Sequence, residues 1–79
     1  MTNLEKYNQA FCDAFEITED KLTGLQYQQI ELWDSVGHMT LIANLEDSFD
    51  IMMETDDIID LSSYEKGMEI LTNKYSVEF

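Results

Sequence analysis

The stretch "LWDSVGHMTLIANLEDSFD", residues 32–50, decides how this chain is read. His38, Leu41, Ile42, Leu45 and Phe49 recur at steps of three and four, one stripe of an α-helix, while Thr40, Asn44, Glu46 and Asp47 fall on its other faces. At the mouth of that helix stand Asp34 and Ser35, two adjacent residues that both cap helices well. One cap is enough. If Asp34 is the N-cap, its carboxylate accepts from the N–H of Val36 or Gly37, and Ser35 takes the first helical position with its hydroxyl free. The unpaired N–H groups and partial positive charge of a helix start make that position tolerant of an attached phosphate. Gly37 lacks a side chain at the third helical position, which would let a partner or prosthetic group come close.

Working outward, Leu4, Tyr7, Ala10, Phe11, Ala14 and Phe15 carry the same period and predict a first helix ending near Glu16-Ile17. Residues 18–33 lose the period. They read as a long connection with Gly24 at a turn, pinned by Leu22, Leu25, Tyr27, Ile30 and Leu32; a loop this long in a small domain is functional or tightly packed. Asp56-Asp57-Ile58-Ile59-Asp60-Leu61 predicts a short helix, its acids crowding the positive end. Ser62 and Glu65 have capping-box spacing, and Tyr64, Gly67, Met68, Leu71 and Tyr75 continue a last helix behind them. No stretch alternates as a strand does. The expected fold is all-α: a four-helix bundle of three longer helices and a short third one, in a single domain over residues 1–79.

Composition narrows the function. Seventeen acids against four lysines give a net charge of −13 on 79 residues. Such a chain is repelled by nucleic-acid phosphates and anionic lipid, so the expected partners are proteins with basic patches, with no nucleic acid and no membrane. Its 44% hydrophobic content argues for a folded domain and against an acidic disordered tail. No apolar run approaches a membrane span, Met1-Thr2-Asn3 is not a secretory signal, and the single Cys12 needs no oxidising compartment; the expected location is cytoplasmic and the expected state monomeric.

"WDSVGHMTLIANLEDSFDI" resembles the signature of the acyl carrier protein family, in its free-standing form: Asp-Ser-aliphatic, a helix with Leu, Leu and Phe, then an acidic turn. The likeness extends along the chain, through the first helix, the long loop, the short acidic third helix and a last helix starting near Ser63. It implies a bundle of the acyl-carrier type and a protein that is no enzyme. Ser35 matches the serine to which a holo-carrier-protein synthase attaches 4′-phosphopantetheine from coenzyme A, and Asp34 the acid beside it. Val36 matches an aliphatic residue that partner enzymes contact, and Met39 and Ala43 match the exposed side of the recognition helix. Leu41, Leu45 and Phe49 match its core. The implied partners are that synthase, an acyl- or aminoacyl-loading enzyme and acyltransferases with basic docking patches. The sequence departs from the fatty-acid pattern at Gly37, His38, Thr40 and Asn44, where acids are usual, and at Ile51-Met52-Met53, which lacks a frequent proline. Those departures imply a specialised pathway and a short or polar cargo.

Other signals are weaker. Asp34, Ser35 and His38 cannot form a catalytic triad on one helical turn, because the histidine must lie between acid and nucleophile with oxyanion donors beyond. His38 reads as a partly packed helix residue, or else as a cation near the phosphate. Cys12 reads as an inert packed thiol and Trp33 as a staple against the helix. Asp47, Asp50, Glu54, Asp56, Asp57 and Asp60 lack the spacing of a calcium loop, so no metal is expected and they read as a solvated acidic face. Gly67 suggests either a close helix crossing or room for a chain folded back from Ser35, with Met39, Leu45, Met53 and Met68 lining the pocket. The competing reading of the whole chain is an acidic helical adaptor or nucleic-acid mimic with no prosthetic group.

Overall fold

Thr2 begins the first helix by accepting from the Glu5 N–H, while the Glu5 carboxylate takes the Thr2 N–H, a complete capping box. In the computed structural model, which describes all of residues 1–79, this opens α1 (Asn3–Phe15). A single 3₁₀ turn follows at Glu19–Lys21, then α2 (Ser35–Phe49), α3 (Thr55–Asp60) and α4 (Tyr64–Tyr75). The chain is all-helical, with four helices of which the third is short. Its β-type pairing amounts to one isolated bridge between Gln26 and Ser63.

Each longer helix stops by the same device. Glu16, Asp50 and Ser76 sit in the left-handed region at φ 54°, 53° and 58°. The next residue, Ile17, Ile51 or Val77, donates its N–H back to Cys12, Glu46 or Leu71 and turns an aliphatic side chain inward. α4 starts one residue later than the capping-box spacing predicts. Ser63, and not Ser62, is its N-cap, accepting from the Lys66 N–H at 3.0 Å. Glu65 is thereby free to reach across to the Gly24 N–H at 3.0 Å.

That contact helps tie down the long connection. Tyr27 N–H donates to the Ser62 carbonyl and Tyr64 N–H to the Leu25 carbonyl, each at 2.9 Å, so the loop is stitched to the start of α4. Leu22, Leu25 and Trp33 are buried; Leu32, expected among the pins, is exposed. The core runs along a chain of rings from Tyr7 through Phe11 and Phe15 to Trp33, with Phe15 and Trp33 stacked at 5.0 Å between centroids. Leu41, Ile42 and Leu45 of α2 and Ile70 and Leu71 of α4 close on it, and Asn44 donates to the Ala10 carbonyl at 3.1 Å, locking α2 to α1. Leu4, read as part of the first stripe, lies exposed at its edge.

Gly67 serves the crossing and leaves no room for cargo. A Cβ there would lie 2.1 Å from the Tyr7 hydroxyl oxygen, and that hydroxyl donates to the Tyr64 carbonyl at 2.6 Å. Leu45 and Met53 are buried in the core, and of the four residues Met39, Leu45, Met53 and Met68 only Met39 borders a groove. Asp57 also departs from the expected solvated face: it is buried, with Lys74 Nζ at 2.7 Å and the Tyr75 hydroxyl at 2.6 Å donating to its two oxygens.

Candidate functional site

The mouth of α2 is built by Asp34. Its backbone is extended and its carboxylate accepts the Gly37 N–H at 2.8 Å, while its carbonyl takes the His38 N–H at 2.8 Å. Ser35 is the first residue of the helix and is exposed, and its hydroxyl enters no hydrogen bond of the protein. The N–H groups of Ser35 and Val36 also have no acceptor in the chain, as the first turn of a helix requires. A free hydroxyl therefore sits beside two free backbone donors.

Gly37 faces inward, contrary to the expectation that it admits a partner. A Cβ on it would fall 1.8 Å from the Leu32 carbonyl oxygen and 3.3 Å from a ring carbon of Phe15. Its missing side chain lets the connection pass directly under the helix start. Trp33, fully buried just before the cap, folds back as expected of a staple. Its indole N–H donates to His38 Nδ1 at 2.9 Å, and the two rings lie 13° from coplanar. His38 Nε2 is 2.7 Å from the Ile58 carbonyl. The indole nitrogen is only a donor, so Nδ1 accepts and the ring hydrogen sits on Nε2. His38 is thus a strut from Trp33 to α3, with both ring nitrogens engaged.

Next to Ser35 opens an apolar groove of about 400 Å³, bordered by Ser35, His38 and Met39 on one side and Ile58, Ile59, Leu61 and Ser62 on the other, with Tyr27 at the end. Of the residues predicted for the site, Ser35 and Met39 border the groove, while Asp34 and Val36, beside Ser35 in the chain, do not line it. Val36 and Met39 are large apolar side chains left 76% and 54% exposed, and Ala43 continues their line one turn further along α2. The α3 wall was not foreseen. Its signal was present in Ile58-Ile59: neighbours on a six-residue helix point about 100° apart and cannot both enter the core. Ile58 packs against the core and Ile59 is left 72% exposed.

Cys12 is half-buried on α1, and burial, followed by the charges of Glu19, Asp13 and Asp20, pushes its thiol above the ordinary range. It is a poor nucleophile. No group of three or more His, Cys, Asp or Glu side chains is arranged to hold a metal ion, and no helix is long and apolar enough to cross a membrane. The fold and site together define a small helical bundle that offers one free serine hydroxyl at a helix mouth beside an apolar groove. No protein-family model matches the chain, and no curated protein or solved structure matches it.

Proposed function

We propose that this chain is a carrier protein of the acyl carrier type, bearing 4′-phosphopantetheine on Ser35 and serving a specialised biosynthetic pathway. The observation that carries the reading is the division of labour at residues 34–37. Asp34 alone caps α2, which leaves the Ser35 hydroxyl unbonded and exposed where Ser35 and Val36 N–H groups are free to receive a phosphate.

In the loading reaction Ser35 Oγ attacks the β-phosphorus of coenzyme A. The new bond is a phosphodiester, the pyrophosphate linkage breaks, adenosine 3′,5′-bisphosphate departs, and the hydroxyl proton passes to a base on the synthase. When bound, the arm supplies a terminal thiol that holds an acyl or aminoacyl cargo as a thioester. The chain's own part is to position the attachment point on a rigid helix and to present Asp34, Val36, Met39 and Ala43 to the enzymes that load and use the cargo. Its net charge of −13 favours partners with basic docking patches. An acidic adaptor would need neither the free hydroxyl nor the groove beside it.

Intact mass with coenzyme A and a broad-specificity holo-synthase tests this. The parent protein should gain one phosphopantetheine and Ser35→Ala none. No gain by the parent, or a gain by Ser35→Ala, overturns the assignment.

A further inference from the structure

The groove has two walls, and one side chain crosses between them. α2 supplies Ser35, His38 and Met39; α3 and the residues after it supply Ile58, Ile59, Leu61 and Ser62. From the first wall, His38 Nε2–H donates to the Ile58 carbonyl of the second at 2.7 Å. Behind it, Nδ1 accepts from Trp33 at 2.9 Å, and Tyr27 meets the imidazole edge-on at 5.5 Å. The ring has a single orientation, and every polar atom on it is used.

Inward of this strut the space is full. Trp33, Leu41 and Leu61 are 0%, 0% and 1% exposed. An apolar chain moving from the groove toward the core must break the His38–Ile58 bond, stranding an N–H and a carbonyl against hydrocarbon. It must also displace side chains that already pack closely. A chain lying in the groove disturbs neither.

We infer that His38 is a positioning residue that sets cargo size: by tying α2 to Ile58 it fixes the groove beside Ser35 and shuts the core, so the site serves a short apolar cargo that lies against Met39 and Ile59. The groove's volume of about 400 Å³ is at the small end of ligand pockets, which run from about 300 to 1,000 Å³. The inference rests on the carrier reading for its biological meaning, but its geometry can be tested without any synthase.

Ser35→Cys in a Cys12→Ala background gives one thiol at the rim of the groove. It is converted with ethyl, hexyl and decyl methanethiosulfonates to the corresponding mixed disulfides, methanesulfinate leaving, and melting temperature under non-reducing conditions is compared with and without His38→Ala. With His38 present, stability should rise by several degrees from ethyl to hexyl and gain nothing further with decyl. With His38→Ala the gain should continue through decyl. The same length profile in both proteins overturns the inference. Trp33 is the chain's only tryptophan, so its indole N–H resonance reports the strut directly. It should keep its position across the series in the His38 protein. If His38→Ala does not fold, that resonance decides: movement with longer chains means that they displace His38, and the inference fails. Because no coenzyme A is used, a failed loading assay would sink the carrier reading and leave this series readable, and the reverse holds equally.

Discussion

The Asp34 carboxylate accepts the Gly37 N–H at 2.8 Å, and Ser35, lying between them, takes no part in the cap. Capping and presentation are thus separable by mutation. Asp34→Ala should cost about 1 kcal/mol, a drop of about 4–8 °C in melting temperature for a domain of this size. Ser35→Ala should stay within about 0.5 kcal/mol of the parent. Urea unfolding of the two variants checks this, and a large loss on removing the serine hydroxyl would mean that it does structural work at the helix mouth.

The three glycines should respond to alanine in a definite order. Helix propensity alone favours alanine over an interior glycine by about 1 kcal/mol. At Gly37 the new Cβ meets the Leu32 carbonyl oxygen at 1.8 Å, and that backbone cannot swing aside, since flanking residues are held by the Trp33–Ile30 and Gln28–Trp33 bonds. Gly37→Ala should therefore be the most damaging, at the upper end of the roughly 1–3 kcal/mol typical of overpacking or beyond it. At Gly67 the clash is with the Tyr7 hydroxyl, a side-chain atom, so Gly67→Ala should cost less and be partly rescued by Tyr7→Phe. Gly24 has open space around it but φ +77°, so alanine should cost about 1–2 kcal/mol and asparagine less. A stabilising Gly37→Ala, measured by denaturant midpoint, would remove the close-approach argument.

What the sequence disclosed was what local chemistry settles. The Asp34 cap, the α2 stripe and the Gly24 turn depend on neighbours a few residues away, and all three lie where the pattern puts them; α4 starts one residue beyond the Ser62 cap that the spacing suggests. The helix ends were also written locally, as a polar residue followed by an aliphatic one at Glu16-Ile17, Asp50-Ile51 and Ser76-Val77. Gly37 was misread because its neighbour is a loop carbonyl that only the folded chain brings near. The same limit hid the groove: Ser35 is legible as a free hydroxyl, but its far wall comes from α3, and His38 shows its purpose only once Ile58 is beside it. Asp57 looked like any of its acidic neighbours, since its distinguishing partner, Lys74, lies seventeen residues on.

Salt should stabilise the protein. Of four lysines, Lys66 and Lys74 are engaged with Glu69 and Asp57, leaving most of the seventeen acids facing one another without a cation. Screening shortens their mutual repulsion as the Debye length falls from about 30 Å at 0.01 M to about 8 Å at physiological ionic strength. The buried end of the Asp57–Lys74 pair is screened less than the surface acids, so its loss should not cancel the gain. Melting temperature followed through a sodium chloride series should climb; a flat or falling curve would show that repulsion does not limit this fold.

Removing Asp57 should weaken the fold, although it takes away a negative charge. Lys74 donates to its carboxylate, and the Tyr75 hydroxyl adds a second bond; together, in that order, they hold the carboxyl below the ordinary aspartate range. The same bond to Asp57 raises the Lys74 ammonium above its usual range. A lowered acid contributes stability that is present above the unfolded value, about 3.9, and is lost as pH falls through the lower folded one. A raised lysine contributes stability present below about 10.4 and lost as pH rises through the higher folded value. The pair therefore supports the packing of α3 on α4 throughout the neutral range. Asp57→Asn should lower the melting temperature at neutral pH and flatten the fall of stability below the aspartate range. Asp56→Asn, exposed and only one residue away, should leave stability within about 0.5 kcal/mol or raise it, because it simply removes one negative charge. Thermal melts of both variants from acid to neutral pH make the comparison, and matching behaviour at the two positions would show that the Lys74 and Tyr75 bonds contribute nothing to the fold.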